Sequence, residues 1–555
     1  MNKLTPGSVQ PAPMQSGFAS RIWKVQGYWF LPFLLFLTLR LFSADTFFML
    51  GGDQCTFLQL GRTFPTHQLY NHELFLTHPP LFGYAIGFLN TFLPLLASGL
   101  AATVIFACLG FFVIRKLALE EGLPHSAIFA GLMFVAVNRP AVHYDSHVAR
   151  VSILVFATAW ALLAFLRFLR TSERHTLLVV IAANVFALLV SDQAIFLVVC
   201  QAIMFCFRGR KQQWKSISLL AAISMVTALI WPAVRYVEYS RRTHLPACID
   251  GTIEFAKPLS WKAILQPNFL PFTNAHRTLV TQTSLSPLNV KPGLLLGMPA
   301  DLLILPAFVG AALILLLVVV AFTVPERRKY AIQWLILTLI FLLPVGMGMH
   351  EWYSSGFLIP CSLLIMEGAA AGFAWLLPRI HASDEGLTRC LSVFCMLGIV
   401  LWLAAPARDV PSFRPHGGRH FLFARDPITR GVVTSRFFES ESRETGIMAP
   451  VNLEPEILYL TDKRVVALPF DPNLLDRFIA DYHITYLVTS TEYLKRYDDP
   501  NSDKYLGALI SRYILEHPDR YRLVRSVTEN YGAFYRLTTY YVLKVEDPSS
   551  QHPGS

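Results

Sequence analysis

The sequence predicts an α-helical polytopic membrane protein with a separate α/β domain at its C-terminal end. Three observations carry this expectation. Of its 555 residues, 54% are apolar and only 15% charged, and many apolar stretches approach the roughly 20 residues that a helix needs to cross a hydrocarbon core. Short basic patches separate those stretches, as expected where Lys and Arg collect on the cytoplasmic side of a bilayer. Beyond Ala405 the composition changes: acids and arginines are spread throughout, and apolar runs shrink to strand length.

Residues 1–26 hold a polar stretch without a cleavable signal pattern and are read as a cytoplasmic segment, with the first span an uncleaved anchor. Spans are expected over 27–43, 100–113, 126–137, 151–169, 177–190, 194–207, 216–234, 302–324, 331–349, 357–377 and 391–405. A further apolar run, 81–98, either crosses or lies along the interface, and charge decides between the two. Suppose that the N-terminus, Arg21 and Lys24 are inside and that 81–98 does not cross. Arg115, Lys116, Arg167, Arg170, Arg174, Arg208, Arg210, Lys211, Lys215, Arg327, Arg328, Lys329, Arg379 and Arg389 then fall inside. If the run crossed, every later basic patch would turn outward. The positive-inside rule selects the first arrangement. It gives an interfacial or re-entrant helix at 81–98, about 11 spans, and an extracytoplasmic C-terminus. The net charge of +10 would point to nucleic acid in a soluble protein. Here it is the sum of the inner loops, so membrane lipids and not nucleic acid are the expected surroundings.

The membrane domain thus covers 27–405, with outer loops at 44–98 and 236–301. Shorter outer turns fall at 141–150, 191–193 and 350–353. All five outer segments carry carboxylates or histidines, whereas the inner connections carry mostly Lys and Arg, so any active site is expected outside. In the tail, 406–555, strands are expected at 464–468, 484–488, 521–527 and 534–545. Helices are expected at 473–482, with Asn473 as its cap, and at 505–515. That alternation reads as a small α/β domain.

The eight cysteines form no metal-ligand spacing. Cys108, Cys200, Cys206, Cys361, Cys390 and Cys395 lie in apolar runs and are expected to be buried, inert thiols. Cys55 and Cys248 fall in outer loops, where a disulfide between them is open in an oxidising compartment.

Chemistry concentrates in the first outer loop, with Gly52-Asp53-Gln54-Cys55 and, further on, His78-Pro79-Pro80-Leu81. A carboxylate just past the first span meets both a lipid-borne donor and a water-borne acceptor. As a general base it needs only hydrogen-bond reach to the proton it removes. Read by themselves, Asp53 is equally a solvated loop acid and His78 a turn residue held extended by the following proline.

Taken together, Arg40 late in the first span, Asp53, the Leu60-Gly61-Arg62 stretch and the His78-Pro79-Pro80-Leu81 entry to the next helix resemble the signature of the GT-C superfamily of glycosyltransferases. The types most similar are the protein O-mannosyltransferases and the lipid A aminoarabinose transferases. The segments 457–461 and 465–469 are similar to the tails of such enzymes. Two departures stand out. Gln54 follows Asp53 where members often have Glu, and the second acid expected near Ser152 is absent there, with Asp145 the nearest substitute.

The resemblance implies a polyprenyl-phosphate sugar donor and an acceptor that is a lipid, a glycan or a protein. It implies inverting transfer on the outer face, with Asp53 as the base and His78 shaping the site. The donor phosphate suits Arg62 and Arg150, because guanidinium grips oxyanions in a fork; as plain interface residues the same arginines would snorkel. Asp145, Asp192 and Glu351 stand at span ends on the same face and are further substrate-binding candidates, or else wet turn residues. A divalent metal is compatible with the family, but the i, i+2, i+4 spacing of His143, Asp145 and His147 is a poor match to a helical ligand pair. Trp261, Asn268, Asn274 and His276 are suited to facing a sugar. Rival readings are a transporter or flippase of a lipid-linked substrate, which would show intramembrane charges and repeated halves, and a non-catalytic scaffold of the same architecture. A bacterial inner membrane is the expected location, since the outer loops carry little N-glycosylation signal.

Overall fold

The computed structural model describes residues 29–41, 52–66, 68, 79–191, 194–241, 315–346, 356–379, 381–404, 432–450, 453–461, 463–469, 472–491, 508–529 and 538–546. His78, Asp192, Glu351, Cys248, residues 242–301 and the start of the expected 302–324 span lie outside them. Among the described residues the membrane domain contains α1 (Trp29–Leu41), α2 (Gly52–Arg62), α3 (Leu81–Asn90), α4 (Leu95–Glu120), α5 (His125–Val137), α6 (Arg139–Asp145) and α7 (Val151–Thr171). It continues with α8 (Arg174–Val190), α9 (Ile195–Arg208), α10 (Trp214–Arg241), α11 (315–323), α12 (Pro325–Gly346), α13 (Leu358–Leu376) and α14 (Asp384–Ala404). Among the described residues four helical stretches are long and apolar enough to cross a membrane: α4, α7, Lys211–Val234 and α13. Large apolar side chains such as Leu178, Val226, Leu229 and Phe394 point outward. Apolar surface on this scale suits a lipid environment.

Several local expectations change. The helix expected at 100–113 runs from Leu95 to Glu120, because Pro94 opens it and no breaker intervenes before Gly122. The run 81–98 divides at this proline. α3, of ten residues, is about 15 Å long and cannot by itself cross a core of about 30 Å. The first outer loop is not plain coil, since it holds α2 and α3. The turn expected at 141–150 begins as α6, where the Asn138 side-chain oxygen accepts the Ala141 N–H at 3.1 Å. Cys55 is buried as a thiol, not bridged, and Cys206 and Cys390 are exposed on outward helix faces instead of buried.

Ion pairs sort the helix ends. Arg167 and Arg170 at the end of α7 hold Glu120 at the end of α4, at 2.7 and 3.2 Å. Arg208 at the end of α9 holds Glu121 at 2.7 Å and donates to Gln333 of α12 at 2.6 Å. Arg327 at the start of α12 meets Glu367 of α13 at 3.3 Å. The Asp384 carboxylate of α14 accepts the His125 and Ser126 N–H groups, at 3.0 and 3.2 Å, and the Ser126 hydroxyl. It therefore caps α5 from another helix, a task that Pro124 preceding it cannot perform. Basic patches far apart in sequence thus meet at one end of the bundle. Replacing Asp384 with Ala is expected to cost about 0.5–2 kcal/mol, the usual value of an N-cap, read as a lower melting temperature in detergent.

The tail contains α15 (Val432–Phe438), β1 (Gly446–Ala449), α16 (Glu454–Thr461), β2 (Arg464–Ala467), α17 (Leu475–Tyr482), β3 (Ile484–Ser490), α18 (Ala508–Glu516), β4 (Tyr521–Glu529) and β5 (Thr538–Val545). The strands form one sheet in the order β2-β1-β3-β5-β4, parallel across β2, β1 and β3 and antiparallel across β3, β5 and β4. Ile447, Val465 and Leu487 are fully buried in its core. β1 and α16 have no counterpart in the sequence expectation. β1 is four residues long and buried throughout, so it shows no alternation to read. Asn473 lies in a 3-10 turn (Pro472–Leu474) and does not cap α17.

Candidate active site

The end of the bundle opposite the basic patches is organised by Arg40. This side chain sits in the last turn of α1 with 0% exposure, where an unpaired charge would be very costly. Its Nε donates to Asp145 of α6 at 2.8 Å. Its Nη1 donates to the carbonyls of Phe36 and Ala136 at 3.2 and 3.0 Å, and its Nη2 to that of Val135 at 3.3 Å. The guanidinium also lies 3.5 Å over the Phe36 ring. The second carboxylate oxygen of Asp145 accepts the Ser152 hydroxyl at 2.6 Å. One buried ion pair therefore ties α1, the end of α5, α6 and the start of α7 together. Ser152 occupies the position where the resemblance places a second acid, and it hydrogen-bonds to the acid that the chain has instead. Beside this pair lies a cavity of about 30 Å³, polar along Asn138, Tyr144, Asp145 and Ser152 and apolar along Phe36 and Phe111.

α2 lies at the same end, since Gly99 in the first turn of α4 abuts Leu58 and Val148. Asp53 is the second residue of α2 and Arg62 the last. α3 packs against one side. A Cβ on Gly61 would strike Ile86, and one on Gly87 would strike Phe64, so both positions need glycine for the helices to approach. Phe57 meets Phe82 edge to face at 5.1 Å. The tail helix α16 packs on α2 as well. Arg62 donates to the Tyr459 carbonyl at 3.2 Å, and its guanidinium lies 5.5 Å from the Tyr459 ring.

The structure therefore places Asp53, Arg62 and Asp145 at one end and gives the last two protein partners. Arg150 is the residue just before α7, two positions from Ser152. The described residues contain no cluster of three His, Cys, Asp or Glu suited to a metal. Asp145, the acid of the expected trio, has both oxygens engaged by Arg40 and Ser152 and does not fit a ligand set.

No protein-family model and no curated protein matches the chain. Its similarity is to solved structures. The oligosaccharyltransferase of Archaeoglobus fulgidus, in complex with Zn and sulfate, matches at 12% identity and a TM-score of 0.43, over 83% of this chain and 68% of that one. ArnT from Cupriavidus metallidurans bound to undecaprenyl phosphate matches at 13% identity and a TM-score of 0.40, over 93% and 98% of the two chains. The apo state of the same ArnT gives 12%, 0.42, 94% and 98%.

Sequence reasoning missed three features of this region. Arg40 entered only as a motif residue, although a lone arginine within an apolar span requires a buried partner, which is a usable signal. Tyr459 and Glu454 carry none. Glu454, in the first turn of α16, is 1% exposed, and one of its carboxyl oxygens has no protein partner. Burial pushes its carboxyl well above the usual carboxylate range. The raised folded value means that the folded tail holds this proton more tightly than the unfolded chain does. Its stabilising effect is complete below the ordinary pKa of 4.5 and is lost as pH rises through the folded value. Thermal melting of the full chain should therefore show the tail gaining stability as pH falls from neutral toward 4.5. Glu454→Gln should abolish this dependence, because an amide does not titrate, and should melt above wild type at high pH, where the buried carboxylate of the wild type must carry a charge.

Proposed function

We propose that this chain is a glycosyltransferase of the GT-C type, which moves a sugar from a polyprenyl-phosphate donor to an acceptor on the outer face of the membrane. The observation that carries the reading is the position of Asp53. It stands in the first turn of α2, at the bundle end that also holds the Arg40–Asp145 pair, opposite the end where the basic patches gather. With those patches facing the cytoplasm, Asp53, the cavity and the tail face outward.

The chemistry follows from that placement. An acceptor hydroxyl or amine gives its proton to Asp53 as its oxygen or nitrogen bonds to the anomeric carbon. The bond from that carbon to the phosphate oxygen breaks, with inversion, and polyprenyl phosphate leaves with the electron pair. Phosphate is a good leaving group, so no strong general acid is required. Arg62 and Arg150 supply cationic N–H donors for the phosphate; His78 as a shaping residue and Asp192 and Glu351 as substrate-binding residues belong to the same reading and lie outside the described residues. A bacterial inner membrane is the setting. The Arg40–Asp145 pair holds the floor of the site. A transporter reading would instead require charges lining a path through the membrane and repeated halves.

The test is turnover of a panel of polyprenyl-phosphate sugars by membranes containing the chain, with a membrane extract as acceptor source, followed as release of polyprenyl phosphate by mass spectrometry. Release from one donor would support the reading and identify the sugar. No release from any donor, with the chain folded and the panel spanning hexoses, pentoses and amino sugars, would overturn it.

A further inference from the structure

α2 is held on two sides by different parts of the chain. On one side α3 approaches so closely that Gly61 and Gly87 admit no side chain. On the other side lies α16, which belongs to the tail. Tyr459 of α16 lies against the C-terminal turn of α2. Its backbone carbonyl and ring both engage Arg62 in the last turn, and its hydroxyl is in electrostatic range of Cys55 in the first turn. Cys55 is 0% exposed. Tyr459 itself is partly buried, and this burial, with the Cys55 thiol adding to it and Arg62 opposing, pushes the phenol up to about 12. Asp53 and Cys55 are two positions apart within one helical turn, so any rotation or slide of α2 under Tyr459 moves the Asp53 backbone by a comparable amount.

We infer that Tyr459 is a positioning residue for α2, and that docking of the tail through α16 sets the placement of the helix that carries Asp53. This rests on the function proposed above. The tail is then a working part of the site, and not a separate module carried beside it. The Arg62–carbonyl bond survives any substitution at position 459, so the ring's contribution can be isolated.

Full-length protein is compared as wild type, Tyr459→Phe and Tyr459→Ala in two measurements. The first is maleimide labelling mapped by mass spectrometry. Cys206 and Cys390, both exposed, report that the reagent and the fold are sound, while Cys55 reports the clamp. Cys55 should stay unlabelled in wild type and Tyr459→Phe and become labelled in Tyr459→Ala. The second is turnover: kcat should fall on the order of 10–10²-fold in Tyr459→Ala, the scale of a displacement of about 1 Å. KM for donor should hardly move, and Tyr459→Phe should stay near wild type. Equal protection of Cys55 in all three proteins would overturn the clamp. Exposure of Cys55 with kcat unchanged would overturn the positioning role while leaving the glycosyltransferase reading intact. Absence of wild-type turnover would remove that role together with the function it rests on, and labelling would still decide whether α16 holds α2.

Discussion

Asp53→Asn is expected to lower turnover of the lipid-linked sugar by about 10²–10⁴-fold, the range spanned by general acid–base catalysis, with donor affinity and melting temperature close to wild type. The amide keeps the size and hydrogen-bonding reach of the carboxylate but cannot take a proton from the acceptor. The location of Asp53 explains why a carboxylate is useful there. It stands in the first turn of α2, where the exposed N–H groups and the helix dipole favour negative charge by about 0.3–1 kcal/mol. Single-turnover kinetics with purified protein would measure the effect on the chemical step directly. Turnover within threefold of wild type would remove Asp53 as the base.

Asp145→Ala is expected to be the most destabilising single change at this end of the bundle, by about 3–5 kcal/mol, because it leaves a buried charge without its partner. Arg40 has 0% exposure, and among the described residues Asp145 is the one carboxylate that it meets, beside three backbone carbonyls. Removing both charges, as in Arg40→Met with Asp145→Leu, should recover most of the loss, since an apolar pair of similar volume avoids the desolvation cost. Ser152→Ala should cost much less, because Asp145 would keep the Arg40 bond at 2.8 Å. A double-mutant cycle on melting in detergent would give the coupling energy. Additivity of the two single changes would show that the pair does not act as a unit.

Much of the site was legible along the chain and part of it was not. Asp53 and Arg62 stand out because residues near each other in sequence share one short stretch. That this stretch is a helix was hidden. Gly52, Gln54, Cys55 and Thr56 read as loop, and the helix exists because α3, α4 and α16 bury Cys55, Leu58 and Leu60. Asp145 was visible as an acid close to where a second one was expected. Its partner Arg40 lies 105 positions away, a separation that no local pattern reports. Ser152 looked like a departure from a motif, and its hydroxyl donates to Asp145, the nearest acid. The tail showed the same division. β3 and β4 were readable from β-branched and aromatic residues, while four-residue β1 became a strand only by pairing with β2 and β3.

By itself the sequence determined the broad architecture: a bundle of apolar helices with its basic residues segregated to one end, followed by an α/β tail. Composition and charge decide these, because hydrocarbon tolerates only apolar helices and the positive-inside bias acts on counts of Lys and Arg, not on contacts. Only the tertiary structure decided that Arg40 and Asp145 neutralise each other, that α2 is clasped between α3 and the tail, and that Glu454 is sealed from water. Each of these depends on which side chains meet across tens or hundreds of residues. Burial and pairing, and hence charge state, are properties of the packed interior and not of the local chain.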